Sequence, residues 1–170
     1  MNLLSNLREK KNFFLKKENI YYLIIVILIF FFDRYTKSII INDFNESIYF
    51  INEYINLNLI WNTGIGFGLF SSESSLFYNL ITMTIGLVII VIFYAFFYSN
   101  SLNKLIYTFI IGGALGNFFD RLIYKAVPDF IDLHYNNFNW FIFNVADIFI
   151  TVGVICLIFA ELFLNKEKTN

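Results

Sequence analysis

Four aspartates lie inside, or at the outer end of, long apolar segments of the chain: Asp33, Asp120, Asp129 and Asp147. An ionised carboxylate at membrane depth is costly, so one usually persists for a functional reason. Two carboxylates close together in a poorly solvated site share a proton, because like charges raise one of the two pKa values. One can then activate a water molecule while the other protonates the substrate, which indicates acid–base hydrolysis. The alternatives are proton or ion transport and structural pairing with a nearby cation, Arg34, Lys37 or Arg121.

Composition predicts an integral membrane protein. Of the 170 residues, 58% are hydrophobic and 21% aromatic, and the mean hydropathy of +0.65 exceeds what a soluble domain of this length needs. Four apolar segments approach the ~20 residues that a helix needs to cross a bilayer. They lie at about 19–41, 76–98, 102–124 and 141–164. The net charge of -1 suggests no nucleic-acid partner, and the one cysteine, Cys156, cannot form an internal disulfide.

The distribution of Lys and Arg predicts the orientation of these spans. The amino-terminal tail is rich in these residues, the carboxy-terminal tail contains two lysines, and Lys104 lies in the short connection between the second and third spans. Residues 42–75 contain neither type, and the connection after the third span contains only Lys125, with Arg121 just before it. Because positive residues favour the cytoplasmic side, we expect both termini to be cytoplasmic and the two longer connections to be outside. The first apolar segment lacks a small-residue cleavage site, so we expect a retained span rather than a signal peptide.

The first outer connection contains a strand signal. Residues Ile55–Ile60 alternate between apolar and polar side chains, the period of a half-buried strand, and 47–51 could pair with them. Trp61 and Trp140 fall at the outer interface, where such rings prefer to lie. We therefore predict an all-α integral membrane protein of one domain, 1–170. It would have four transmembrane helices and a small extracytoplasmic β-sheet between the first and second spans, at about 42–61.

Depth along the helices brings the four acids together. Asp120 comes ~18 residues, or ~27 Å, after the inner start of the third span. Asp147 is expected about six residues into the fourth span, ~9 Å below the outer surface. Asp129 falls in the short loop between those spans, and Asp33 in the outer half of the first. All four acids would lie in the outer third of the bilayer. A proton relay would spread its acids through the depth instead, so the clustering favours hydrolysis.

Two asparagine–aspartate pairs share that layer. Asn117 precedes Asp120 by three residues, and Asn144 precedes Asp147 by three, so each pair shares a helix face. Glycine-rich segments at 64–68 and 112–116 allow close approach of backbone or packing between helices. His134 has no Ser or Cys partner placed by sequence, and we expect a surface histidine. No cluster of Cys, His and Glu has metal-ligand spacing.

Four sequence blocks, taken in order on a four-span chain, match a known family. They are Asp33–Lys37, then Asn62–Gly68, then Gly112–Arg121 with Val127–Ile131, and last Phe143–Asp147. On these residues the chain resembles the bacterial lipoprotein signal peptidases (signal peptidase II). The resemblance implies an aspartic endopeptidase of the bacterial inner membrane. Such an enzyme cuts the signal peptide from a prolipoprotein, just before a cysteine that carries diacylglycerol.

The resemblance also implies residue roles. It assigns catalysis to Asp129 and Asp147, a choice that depth alone left open between Asp120 and Asp129 as the partner of Asp147. Residues that line the site or bind substrate would be Asp33, Lys37, Asn62, Gly64, Asn117, Asp120, Arg121, Asn144 and Ala146. The reaction would need no cofactor and no metal. The expected partners are the prolipoprotein with its diacylglyceryl cysteine and membrane lipid, with no nucleic acid, and the protein would be a monomer.

Some positions depart from the family pattern. Ile65 and Gly66 stand where the family usually has a small residue, often alanine, and Pro128 replaces a typical valine. Proline restricts the backbone before Asp129 and suits a loop aspartate. These changes bear on substrate preference rather than on a catalytic group. We expect the loop 42–61 to cover the site and the 64–68 segment to let it move.

Overall fold

The computed structural model describes residues 16–43, 48–64, 75–135 and 138–164. In this part of the chain the helices are α1 (Lys17–Asp43), α2 (Ser75–Phe97), α3 (Ser101–Tyr124) and α4 (Val145–Phe159), and a π-helical turn, Ala160–Leu164, continues α4. Helix α3 is central, because it packs against each of the other three. The terminal lysine-rich tails lie outside the described residues, apart from Lys16 and Lys17.

Small residues on α3 explain its central position. A Cβ added at Gly112 would lie 2.8 Å from the Ile29 side chain of α1, and one added at Gly113 would collide with the Ala146 carbonyl oxygen of α4. Both neighbouring helices therefore approach α3 more closely than a larger side chain would allow. The predicted small-residue packing at 112–116 is confirmed at these positions.

Two of the described helices are long and apolar enough, by composition alone, to cross a membrane: Leu76–Phe97 and Val145–Leu164, with mean hydropathies of 2.6 and 2.4. Large apolar side chains on both are exposed, including Ile90 (65%) and Ile155 (61%). Helices α1 and α3 are as long but contain buried charged residues, Asp33 and Lys37 in α1 and Lys104, Asp120 and Arg121 in α3. Helix α1 has 27 residues and α3 has 24, so the two helices are about 40 and 36 Å long.

Four antiparallel strands form one sheet in the order β1-β2-β3-β4. They are β1 (Tyr49–Phe50), β2 (Ile55–Asn62), β3 (Val127–Tyr135) and β4 (Phe138–Phe143). The strand predicted at Ile55–Ile60 is confirmed as part of β2. Its predicted partner at 47–51 is confirmed over Tyr49–Phe50, while Ser47 lies outside the described residues.

Our expectation that the sheet lies wholly between the first and second spans is wrong. Strands β3 and β4 come from the connection between α3 and α4, and β3 pairs with β2 from Ile55↔Leu133 to Asn62↔Val127. The sequence from Phe138 onward is largely apolar, and we therefore expected the fourth span to begin at about residue 141. Residues Phe141–Phe143 belong to β4 instead, and the helix begins at Val145.

The short loop expected around Asp129 is therefore a strand, which corrects a second expectation. Pro128 fits there because β4 pairs with β3 only as far as Ile131↔Phe143. At Pro128 only β2 is paired, and a proline without an N–H is tolerated where one strand edge is free. A cluster of Ile40, Phe130 and Val145 then joins the end of α1, the sheet and the start of α4. This cluster fixes the sheet over the helix ends.

Candidate active site

Asn144 connects two of the four aspartates. Its side-chain oxygen accepts a hydrogen bond from the Asp147 backbone N–H at 3.1 Å, and its own backbone N–H donates to Asp147 Oδ2 at 3.2 Å. This reciprocal arrangement is the capping box of α4, favoured by asparagine at the N-cap. The Asn144 Nδ2 also donates to Asp129 Oδ1 at 2.5 Å. One fully buried asparagine thus orients both carboxylates.

Asp129 is held by amide donors on both oxygens. Asn62 Nδ2 donates to its Oδ2 at 2.8 Å, and Asn62 Oδ1 accepts from the Gly64 backbone N–H at 2.8 Å. The carboxyl is 3% exposed. Burial raises the pKa of Asp129 from 3.8 to about 6, and the nearby Asp147 carboxylate acts in the same direction, against the hydrogen bonds from Asn62 and Asn144. The carboxyl can therefore hold a proton near neutral pH.

Asp147 receives its second side-chain contact from α3. Asn117 Nδ2 donates to Asp147 Oδ1 at 2.7 Å, and Asn117 Oδ1 in turn accepts from Lys37 Nζ at 2.8 Å. Asp147 lies in the first turn of α4, at its third position. The expected depth of about six residues into the helix is wrong, because the helix starts later than its apolar sequence indicates. Asp147 is also the more accessible of the two carboxylates.

Asp33 and Asp120 have a different environment, since both are paired with cations. Lys37 Nζ lies 2.7 Å from Asp120 Oδ2 and 2.8 Å from Asp33 Oδ2, and all three side chains have no exposed surface. Arg34 binds the other oxygen of Asp120. The alternative considered from sequence, structural pairing of an aspartate with a nearby cation, therefore holds for Asp33 and Asp120. Asp129 and Asp147 have no such ion pair among the residues that the structure describes.

Asp33 also fixes the start of α4. Its Oδ1 accepts a hydrogen bond from the Ala146 backbone N–H at 2.9 Å. A carboxylate is favourable at a helix N-terminus, where backbone N–H groups lack partners within the helix. A Cβ added at Gly116 would collide with Asp33 Oδ2, so the glycine provides the space in which this carboxylate lies. Through Ala146, Asp33 helps to position Asp147.

Arg121 connects α3 to the segment after β2. Its Nη2 donates to the Gly64 carbonyl oxygen at 2.7 Å, and its Nη1 donates to the Asn117 carbonyl oxygen at 3.2 Å. Gly64 is therefore fixed at both its N–H and its carbonyl group. The rest of the predicted hinge, 65–68, with the departures at Ile65 and Gly66, lies outside the described residues.

The structure brings all eleven sequence-predicted site residues into one connected set. It adds Arg34, which sequence reasoning treated only as a possible ion-pair partner, and Tyr78, whose hydroxyl donates to the Arg121 carbonyl oxygen at 3.1 Å. Nothing in the apolar sequence around Tyr78 indicated that contact. His134, expected on the surface, is half-buried on β3, and its Nδ1 is buried without a hydrogen-bond partner.

Comparison with known proteins gives consistent results. A family model described as "Signal peptidase (SPase) II" matches residues 25–163. A "Lipoprotein signal peptidase" of Pelagibacter ubique (strain HTCC1062) is 53% identical over 142 residues, which cover 81% of this chain and 85% of that protein. One from Francisella tularensis subsp. novicida (strain U112) is 37% identical, covering 80% and 88%.

Solved structures are similar as well. One titled "Bacterial membrane enzyme structure by the in meso method at 2.3 A resolution" has a TM-score of 0.69 and 31% sequence identity, covering 88% of this chain and 90% of that one. A second, at 1.9 Å resolution, has a TM-score of 0.68 and 32% identity, covering 84% and 93%. The family match and the fold similarity therefore both extend over most of the chain.

Proposed function

The chain belongs to the signal peptidase II family, and we propose that it removes the signal peptide from prolipoproteins whose cysteine carries diacylglycerol. It is a membrane protease of the lipoprotein signal peptidase type. The finer assignment of the substrate follows from the family resemblance, which includes a cut just before the lipidated cysteine. Family membership sets aside the transporter alternative that composition alone left open.

Asp129 and Asp147 form the proposed catalytic pair. The observation that supports this choice is the division of the four buried aspartates by their partners. Asp33 and Asp120 are neutralised by Lys37 and Arg34, whereas Asp129 and Asp147 accept hydrogen bonds from amides only. A carboxylate in a tight ion pair is held ionised and is a poor proton carrier, while an unpaired buried carboxyl keeps a pKa suited to proton transfer.

The proposed mechanism is acid–base hydrolysis by this pair. The ionised member removes a proton from a water molecule, which attacks the carbonyl carbon of the scissile peptide bond. The protonated member hydrogen-bonds to the carbonyl oxygen as negative charge develops there, and a proton then passes to the leaving amine. The C–N bond breaks without a covalent intermediate on the enzyme. The macroscopic pKa values belong to the pair, so no resting proton is assigned to one member.

Three asparagines would keep the pair in position. Asn62, Asn117 and Asn144 each donate a side-chain N–H to a carboxylate oxygen, at 2.8, 2.7 and 2.5 Å. Because each of these amides is itself held by a second contact, the carboxylates cannot rotate freely. Such preorganisation avoids the reorganisation that the same groups would need in water.

We also propose the four-span topology with both termini cytoplasmic and the site near the outer face. The supporting observations are the Lys and Arg distribution, the lengths of α1 and α3, and the position of all four aspartates near the sheet end of the helices. The substrate would enter laterally from the bilayer. Labelling of single cysteines placed in the tails and in the sheet, in intact cells, tests this orientation.

Cleavage of a diacylglyceryl-modified prolipoprotein by the purified protein tests the catalytic pair. Wild type should release the signal peptide with a cut before the modified cysteine, while Asp129→Asn and Asp147→Asn should remain uncleaving although folded. Asp132→Asn is the matched control, because Asp132 is a buried aspartate on the same strand (4% exposed) without contact to the pair. Substantial cleavage by either dyad variant would refute the assignment.

A further inference from the structure

Tyr78 connects α2 to the outer end of α3, and the catalytic scheme above does not use this contact. The residue lies in the first turn of α2, is 7% exposed, and donates its hydroxyl hydrogen to the Arg121 carbonyl oxygen at 3.1 Å. Arg121 lies in the last turn of α3, where carbonyl oxygens lack N–H partners within the helix. A buried carbonyl without a donor is costly. The Tyr78 hydroxyl therefore holds the Arg121 backbone in place.

A series of hydrogen bonds leads from Arg121 to Asp129. The Arg121 Nη2 donates to the Gly64 carbonyl oxygen at 2.7 Å. The Gly64 backbone N–H donates to Asn62 Oδ1 at 2.8 Å, and the Asn62 Nδ2 donates to Asp129 Oδ2 at 2.8 Å. The side chains of this series are buried, so water cannot easily replace a hydrogen bond that is lost. A displacement of the Arg121 backbone would therefore reach the amide that orients Asp129.

We infer that Tyr78 is a positioning residue for catalysis, an inference that rests on the proposed function. Its hydroxyl fixes the Arg121 backbone. Through Gly64 and Asn62 this contact holds the Asp129 carboxyl in the orientation that proton transfer requires. Within the described part of the chain, Tyr78 has no hydrogen bond to either carboxylate of the pair. It acts on the reaction through Arg121.

Removal of the hydroxyl in Tyr78→Phe tests the inference, and Tyr22→Phe is the matched control. Tyr22 also donates its hydroxyl hydrogen to a backbone carbonyl oxygen of α3, that of Ser101, at 3.1 Å. That contact lies at the opposite end of the helix from the proposed catalytic pair. In the cleavage assay with a diacylglyceryl-modified prolipoprotein, kcat of Tyr78→Phe per folded protein should decrease by about 10–10²-fold, with KM little changed. Tyr22→Phe should keep the wild-type kcat.

The pH dependence of kcat/KM is a second readout, which a loss of stability alone would not move. The hydrogen bond from Asn62 lowers the pKa of Asp129, so loosening it should move the midpoint of the pH profile to a higher pH. Three charged groups also act on this carboxyl, and Tyr78→Phe removes none of them: Asp147, Lys37 and Arg121. Replacement of Tyr78 by p-aminophenylalanine keeps a hydrogen-bond donor at this position and should restore both kcat and the midpoint.

A double-mutant cycle tests the route from Tyr78 to Asp129. In an Asn62→Ala background the Asp129 carboxyl has already lost its amide contact, so Tyr78→Phe should cause little further loss of kcat in single-turnover cleavage. Equal fold losses in the wild-type and Asn62→Ala backgrounds would show that Tyr78 does not act through Asn62. That result would overturn the inference.

The remaining outcomes separate this inference from the proposed function. A wild-type kcat and pH midpoint in folded Tyr78→Phe would overturn the inference while leaving the peptidase activity in place. Equal losses of kcat in Tyr78→Phe and Tyr22→Phe would leave Tyr78 with a structural role only. If Tyr78→Phe does not fold, Tyr78→Met compared with Tyr22→Met replaces it, because methionine also lacks the hydroxyl and adapts to irregular space. No cleavage by folded wild type would refute the proposed function itself.

Discussion

Replacing Asp129 by asparagine should abolish cleavage and also change how stability depends on pH. The wild-type carboxyl is buried, and its pKa is raised from 3.8 to about 6. Below pH 3.8 the carboxyl is protonated in both the folded and the unfolded chain, and folding has no penalty. As pH rises, the unfolded chain ionises first, so stability is lost between pH 3.8 and about 6. The Asp129→Asn variant has no carboxyl at this position, so its stability does not decrease over this pH range for this reason.

The size of the effect follows from that pKa. Raising a carboxyl pKa from 3.8 to about 6 corresponds to about 3 kcal/mol lost from the folded wild type at neutral pH, at ~1.4 kcal/mol for each tenfold change in proton affinity. Asparagine also turns one oxygen into a donor that faces Asn62 or Asn144, which costs about 1–3 kcal/mol at every pH. The difference in stability between the two proteins should therefore change by about 3 kcal/mol across this range.

Thermal unfolding in detergent, at a series of pH values, measures this change. For a chain of this size, 1 kcal/mol moves Tm by about 2–4 °C. The Tm of Asp129→Asn minus that of wild type should therefore increase by about 6–12 °C between about pH 4 and pH 8. A Tm difference that stays constant over this range would mean that Asp129 titrates like an exposed carboxyl. The burial of the Asp129 carboxyl would then not raise its pKa, and its proposed part in proton transfer would lose that support.

Three further perturbations have distinct expected results. Gly116→Ala places a Cβ against the Asp33 carboxylate and should lower stability by about 1–3 kcal/mol; Gly86→Ala, whose Cβ would lie 3.2 Å from the Phe118 ring, should cost less in the same melting assay. Lys37→Met leaves two buried carboxylates short of a cation and should lower the free energy of unfolding by about 3–5 kcal/mol. Lys17→Met, at an exposed lysine, should not alter Tm. Equal Tm values for the two variants would contradict the buried ion-pair network. The kcat/KM of wild type should decrease with rising pH, with a midpoint at or above about 6, because the pair loses its shared proton; a rate that rises throughout would contradict the scheme.

Much of the fold could be predicted from sequence because its signals are local. Apolar length predicts each helix, and the alternation at Ile55–Ile60 predicts β2. Strand β4 could not be separated from the fourth span, because Trp140–Phe143 and α4 form a largely apolar segment that Asn144 interrupts. The identity of β3 and β4 as strands depends on pairing with β2, which is a long-range contact. The N-cap preference of asparagine was the available signal that the helix starts after Asn144.

The residues of the candidate site could be predicted as a group. Which of its aspartates are paired with cations, and which are not, could not be fully predicted. Spacing placed Asn117 with Asp120 and Asn144 with Asp147, and the structure brings both pairs together. Spacing could not show that Asp120 receives two cations from α1, since that depends on where α1 crosses α3. The Asp33–Lys37 spacing of four residues does predict a pair on one helix face, and that pair is present. The second contact of Lys37, to Asp120, needed the tertiary structure.

Single-turnover cleavage by Asp129→Asn and Asp120→Asn, each corrected for its folded fraction, decides which of the two aspartates is the catalytic partner of Asp147. Both residues are buried aspartates connected to Asp147 through asparagine side chains, but Asp120 is paired with cations and Asp129 is not. We expect Asp129→Asn to lose about 10²–10⁴-fold in rate, the usual contribution of a general acid or base. The folded part of Asp120→Asn should cleave at a rate within about tenfold of wild type. Loss of cleavage in Asp120→Asn, with Asp129→Asn still active, would show that Asp120 is the catalytic partner of Asp147.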